Sequence, residues 1–149
     1  MDQSIVIRAL TRNDIEQVLR IENQTFSMPW TRRDFESALN KPQDLYLVVD
    51  KGGEIIGYCG LWAVLEEGQI TNVAVKEAYR HQGIGRLMME ALLKEGINRG
   101  LTEFTLEVRE SNSAARALYR SLGFAEAGVR PGFYDKPKEN AIIMWYYAV

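Results

Sequence analysis

Asn72-Val73-Ala74-Val75, four further residues, then Arg80-His81-Gln82-Gly83-Ile84-Gly85-Arg86 is the stretch on which the reading of this chain turns. A β-type apolar run feeds a basic, glycine-bearing turn, and the turn opens an amphipathic helix. Such a turn suits the holding of a pyrophosphate. Gly83 and Gly85 let backbone approach an anion closely. The first amides of a helix have no partners inside it and point outward. The positive end of the helix dipole adds attraction, and Arg80 and Arg86 add full charges beside it. The spacing Arg-x-x-Gly-x-Gly is neither the Gly-x-Gly-x-x-Gly dinucleotide fingerprint nor a P-loop ending in Gly-Lys-Ser/Thr. The plainer alternative is a tight strand-to-helix connection with solvated arginines. The coincidence of basic residues, paired glycines and a helix start favours the anion site.

Outward from this stretch the pattern is regular. Ser4 to Ala9 alternates apolar and polar and predicts a strand. Thr11 with Asp14, and Thr31 with Asp34, are capping-box signals. The first opens a helix carrying Ile15, Val18, Leu19 and Glu22, and the second a short one carrying Phe35, Ala38 and Leu39. Pro29-Trp30 separates them. Leu45 to Val49 and Ile55 to Leu65 predict strands about the turn Lys51-Gly52-Gly53-Glu54. Glu66-Glu67-Gly68 turns the chain into Gln69 to Val75. The helix after Gly85 is expected to end near Arg99, with Gly100 as its cap. Glu103 to Arg109 predicts a strand with Phe104, Leu106 and Val108 on one face and Thr105, Glu107 and Arg109 on the other. A helix from Asn112 to Leu122, stopped by Gly123, precedes strands at Phe124 to Arg130 and Ala141 to Tyr147. The order βααβββαβαββ predicts an α/β (α+β) chain, a mixed sheet with helices on both sides.

The bulk composition limits the function. With 149 residues, one domain over 1–149 is expected. Eighteen Lys and Arg against 20 Asp and Glu give a net charge of -2, which argues against a general nucleic-acid binder. Cys59 is the only cysteine and His81 the only histidine, so an internal disulfide and a cysteine or histidine metal cluster are excluded. A Ser-His-Asp triad is disfavoured on the same ground. Met1-Asp2-Gln3-Ser4 has no basic stretch leading into an apolar segment, and no run reaches membrane-span length. A cytoplasmic protein is expected, with no metal and no membrane partner.

The residues that could carry chemistry are ambiguous from spacing alone. His81 reads as backbone-anchored or phosphate-side rather than catalytic, since no neighbouring carboxylate orients it. Glu107 reads as a solvated strand glutamate, Tyr119 as an amphipathic tyrosine with its hydroxyl at the rim, and Asn112 as a helix N-cap. Trp30, Phe133 and Tyr134 lie in loop-like stretches and could simply cap the core.

Taken together, four segments resemble the GCN5-related N-acetyltransferases (GNAT). They are Asn72-Val73-Ala74-Val75, Arg80-His81-Gln82-Gly83-Ile84-Gly85, Leu106-Glu107-Val108-Arg109-Glu110-Ser111-Asn112 and Ala117-Leu118-Tyr119-Arg120-Ser121-Leu122-Gly123-Phe124. Within that superfamily the chain is most similar to the ribosomal-protein-alanine N-acetyltransferases, the RimI type. Pro29-Trp30-Thr31, the Leu-Glu-Val-Arg-x-Ser-Asn run, and Arg130-Pro131-Gly132-Phe133-Tyr134 followed by Ala141-Ile142-Ile143-Met144 carry that likeness. The resemblance implies a mostly antiparallel sheet of about seven strands flanked by about four helices. It implies acetyl-CoA as co-substrate. Val73, Ala74 and Val75 would meet the pantetheine arm as an added strand would. Arg80, His81, Gln82, Gly83, Ile84, Gly85 and Arg86 would cradle the pyrophosphate, and Asn112 would touch the pantetheine. Glu107 would be the general base and Tyr119 the general acid. Trp30 and Tyr134 would stand at the two rims of the acceptor cleft. One departure is visible: His81-Gln82 stands where relatives commonly carry Arg-Arg or Gln-Arg. Backbone amides do most of the cradling, so the fit is expected to survive.

The acceptor implied is a protein N-terminus, the alanine of a small-subunit ribosomal protein, acetylated by direct transfer in a ternary complex. Two alternatives remain. One keeps the chemistry and moves the acceptor to a lysine or a small amine. The other is a non-catalytic acyl-CoA sensor, against which Glu107 and Tyr119 count.

Overall fold

A computed structural model describes residues 4–148. The reading of the N-terminus at Met1-Asp2-Gln3 lies outside the described residues. The elements are β1 (Ile5–Ala9), α1 (Ile15–Thr25), α2 (Arg32–Leu39), β2 (Leu45–Lys51), β3 (Glu54–Val64), β4 (Glu67–Val75), α3 (Ile84–Asn98), β5 (Glu103–Arg109), α4 (Ser113–Leu122), β6 (Ala125–Tyr134) and β7 (Glu139–Tyr147). Seven strands form one sheet in the order β1-β2-β3-β4-β5-β7-β6. Every neighbouring pair is antiparallel except β4 with β5. The predicted element order and fold class match.

Each capping box forms. Asp14 Oδ2 accepts from the Thr11 N–H at 2.8 Å and from its hydroxyl at 2.9 Å. Asp34 Oδ2 does the same for Thr31 at 2.8 and 3.0 Å. These bonds satisfy donors that a helix start leaves orphaned. Two cores lie on opposite faces of the sheet. The larger contains Ile84, Met88, Met89, Leu92 and Leu93 of α3, with Phe104, Leu106, Val108, Ile142 and Met144. Each such fully buried side chain contributes about 1.5–3 kcal/mol. The smaller packs α1 and α2 through Ile15, Val18, Ile21 and Phe35 onto Tyr46, Val48, Ile55, Tyr58 and Ala74. Among the described residues no helix is long and apolar enough to cross a membrane.

Some boundaries differ from the sequence reading. β4 begins at Glu67 instead of Gln69, because the turn before it tightens to Leu65-Glu66 with Leu65 at φ +56°. β6 runs through Pro131 to Tyr134 instead of ending at Arg130. Proline is tolerated there because β6 is an edge strand whose register shifts between Arg130 and Tyr134. Phe133 and Tyr134 are therefore strand residues, not loop residues. β7 likewise begins at Glu139, two residues earlier than expected.

The feature that positions the site is a parting of strands. β4 and β5 pair only at Glu67, Gly68 and Gln69 with Glu103, Phe104 and Thr105. Beyond Gln69, β4 stays paired to β3 up to Val75, so its other edge is left free of a neighbouring strand. β5 meanwhile stays paired to β7.

Candidate active site

A cavity of about 900 Å³ opens where β4 and β5 part. Its lining brings together Val73, Ala74 and Val75 of β4, the turn residues Arg80, His81, Gly83, Ile84, Gly85 and Arg86, and Glu107, Asn112 and Tyr119. Trp30 and Tyr134 line it as well. Among the site residues expected from sequence, Gln82 alone is not in that lining, and its side-chain amide turns back to donate to Ala78 O at 3.3 Å.

At one end of the cavity the backbone geometry is that of an anion cradle. Gly83 is the N-cap of α3 at φ +81°, a conformation few side chains tolerate. A Cβ there would meet no atom within 4 Å, so the space above it is open. Gly85 serves differently. A Cβ on it would lie 3.3 Å from Leu118 Cδ2, so its smallness lets α3 approach α4. His81 is also left-handed, at φ +63°. Arg80 folds inward, Nε donating to Val75 O at 2.9 Å. Arg86 leans on α4, donating to Ser121 Oγ. Asn112 caps α4 by accepting the Ala115 N–H at 3.2 Å.

The inner part of the cavity is where strand chemistry meets the gap. Glu107 points from the polar face of β5, its side chain 32% exposed, with Arg130 Nε 3.4 Å from Oε2. Tyr119 is buried on α4, and burial pushes its phenol above the ordinary tyrosine value, helped by Cys59 and Tyr134. Tyr134 is pushed up to about 12 by burial first and then by the Glu107 charge, and both residues line the cavity. Trp30 packs against Phe35, Tyr46 and Trp62 with ring centroids 5.0, 5.9 and 6.3 Å away.

Glu22, named from the sequence only as a position of the first helix, also lines this cavity. Glu22 of α1 is 2% exposed. Its Oε1 accepts from the Tyr58 hydroxyl and from Asn72 Nδ2 at 3.4 Å, and its Oε2 accepts the Trp30 N–H at 2.8 Å. It thereby fixes the segment that carries Trp30. The signal was present: Glu22 follows Ile15 and Val18 at inward helical spacing, where a carboxylate is costly unless hydrogen-bonded.

Residues 15–124 match the model of the Acetyltransferase (GNAT) family. The chain belongs to the GNAT family of acetyltransferases. It is 36% identical over 140 residues to the [ribosomal protein bS18]-alanine N-acetyltransferase of Escherichia coli K12, covering 93% of this chain and 94% of that one. Over 148 residues it is 36% identical to the N-alpha-acetyltransferase RimI of Mycobacterium tuberculosis, covering 95% and 92%. The crystal structure of the Escherichia coli ribosomal-protein-S18-alanine N-acetyltransferase superposes with a TM-score of 0.90 at 34% identity, covering 98% of this chain and 96% of that one. The parted β4 and β5 are thus part of a GNAT fold.

Proposed function

We propose that the chain, acting as one domain over residues 1–149, is an acetyl-CoA-dependent N-acetyltransferase of the cytoplasm. Its acceptor is a protein N-terminal α-amino group, the alanine of a small-subunit ribosomal protein of the bS18 kind. The acetyl group passes directly in a ternary complex. The observation that carries this reading is the meeting of Glu107, Tyr119, the free edge of β4 and the start of α3 in one cavity. The names of the relatives supply the acceptor.

The cavity suits acetyl-CoA. The open space at Gly83, the outward amides at the start of α3 and the charges of Arg80 and Arg86 fit a pyrophosphate. The edge at Val73, Ala74 and Val75, free of a neighbouring strand, fits the amide-bearing pantetheine arm, and Asn112 lines the same cavity. When bound, acetyl-CoA supplies an acetyl group activated as a thioester.

The residues then divide the work. An amine at neutral pH is mostly ammonium, and Glu107 accepts its proton, directly or through a water. Tyr119 keeps its own proton because burial raises its pKa, so it is available to the departing thiolate. A backbone amide near Val73 faces the developing oxyanion. An acyl-enzyme is disfavoured: Cys59 is wholly buried, its thiol pushed up by burial, and its Sγ contacts Met88 O at 3.7 Å. Trp30 and Tyr134 wall the acceptor path.

A peptide array varying the first residue, incubated with acetyl-CoA, tests this reading. Labelling should be strongest on alanine-led peptides. An array labelled independently of its first residue would defeat it.

A further inference from the structure

We infer that Arg109 is the positioning residue of the acceptor wall: it holds the turn after β6, so that Tyr134 and Asp135 keep their place at the cavity, and it thereby sets acceptor affinity. The acceptor half of this statement rests on the acetyltransferase reading above.

Arg109 ends β5, two residues beyond Glu107 and on the same face. Its side chain is three-quarters covered, and each arm of its guanidinium is engaged. Nη1 donates to Pro137 O at 2.9 Å and to Glu139 Oε1 at 3.1 Å. Nη2 donates to Asp135 O at 3.0 Å. The guanidinium carbon lies 4.5 Å from the centre of the Tyr134 ring. One side chain thus grips two carbonyls of the turn, the strand residue after it and the aromatic ring before it.

The turn has little else to hold it. Pairing between β6 and β7 is interrupted from Arg130 to Tyr134 and resumes with Tyr134 opposite Glu139. Glu139 is itself anchored, accepting the Ser111 N–H at 2.7 Å just before α4. Asp135 O has a second donor, Ser27 Oγ at 3.3 Å, from the segment between α1 and α2. The Arg109 contacts tie β5 to the β6–β7 turn, and the Ser27 bond to Asp135 O links that turn to the segment carrying Trp30. Guanidinium suits this task because its planar fork presents five fixed donors, whereas an ammonium has three on a flexible stem.

The test uses the full chain with Arg109→Lys and Arg109→Met. Steady-state rates are measured with an alanine-led peptide, acetyl-CoA affinity by titration calorimetry, and amide hydrogen exchange across residues 134–139. For Arg109→Met the expected result is a peptide KM raised about tenfold or more, kcat within about threefold of the parent, unchanged acetyl-CoA affinity, and faster exchange confined to the turn. Arg109→Lys should recover part of the KM. Should Arg109→Met fail to fold, Glu139→Gln removes one leg of the grip and should raise KM by a smaller amount. A fall in kcat at constant KM would place Arg109 in the proton-transfer step instead, and unchanged turn exchange would overturn the inference outright. If the parent itself ignores the peptide, the acetyltransferase reading fails, while the exchange data still decide whether Arg109 holds the turn.

Discussion

Arg130 Nε lies 3.4 Å from Glu107 Oε2, joining the edge strand β6 to the central strand β5 across β7. Arg130 is more than half exposed, so the pair is screened by water and weak. The Glu107 carboxylate is therefore oriented without being locked, as the proposed general base would have to be. Glu107→Gln should lower kcat by about 10²–10⁴-fold while leaving acetyl-CoA affinity intact. Raising the pH should restore part of the rate, because free amine then forms unaided. Stopped-rate assays from pH 7 to 9.5 decide this. A Glu107→Gln enzyme as active as the parent at pH 7 would move the base elsewhere, with the buried Glu22 the next candidate.

Tyr119 gives the opposite pH signature. Its pKa is raised above the ordinary value of about 10 by burial, so the proton stays on the phenol throughout that range. The parent's kcat should show no alkaline fall from this group up to pH 9.5. Tyr119→Phe should lower kcat, and alkali should not rescue it. Parallel pH profiles of the parent and the two variants distinguish the roles, and rescue of Tyr119→Phe by alkali would contradict the assignment.

Gly83 tests the cradle. At φ +81° a valine is strained, and its side chain would project into the open space above the turn. Loss of one or two charge-assisted bonds would cost about 2–4 kcal/mol of acetyl-CoA affinity. Calorimetric titration of a folded Gly83→Val variant should show that weakening. Unchanged affinity would mean that the pyrophosphate lies elsewhere.

Asp14 tests the fold apart from the site. Arg8 donates to its two oxygens at 2.7 and 2.8 Å, and the carboxylate is held down at about 2 by that contact first and by Thr11 next. A folded pKa below the unfolded one contributes stability above the unfolded value and loses it as pH falls toward 2. The contribution at neutral pH is about 2 kcal/mol. Asp14→Asn should lower Tm at pH 7, and the gap to the parent should close between pH 4 and 2. A gap that is constant across that range would contradict the electrostatic account.

Local signals made much of this legible in sequence. The capping residues Thr11 and Thr31, the inward spacing in α1 and the glycine before α3 each act within a few positions, so the element order followed from them. The free edge of β4 did not follow, because it depends on where β5 stops pairing. The buried role of Glu22 was not legible because its partners Tyr58 and Asn72 are 36 and 50 positions away. Arg109 showed as a polar-face residue within the Leu-Glu-Val-Arg run, and its grip was not legible because the turn lies 26 to 30 positions later. Pro131 suggested a strand end, and only its place on an edge strand explains why β6 continues. Spacing favoured a solvated role for Glu107 and left Tyr119 open. Family resemblance raised the catalytic reading, and the structure brings both into one cavity.

The choice of acceptor follows from amine basicity. An α-amine has a pKa near 8 and a lysine amine near 10.4, so an N-terminus asks less of Glu107 at neutral pH. Trp30 and Tyr134 both line the cavity, the latter with the Arg109 guanidinium 4.5 Å from its ring centre. Two peptides should be incubated with acetyl-CoA and analysed by mass spectrometry: one with a free N-terminal alanine, and the same sequence with a blocked N-terminus and an internal lysine. The alanine α-amine should be acetylated rapidly and the lysine labelled far more slowly. Preferential labelling of the lysine would contradict the N-terminal reading.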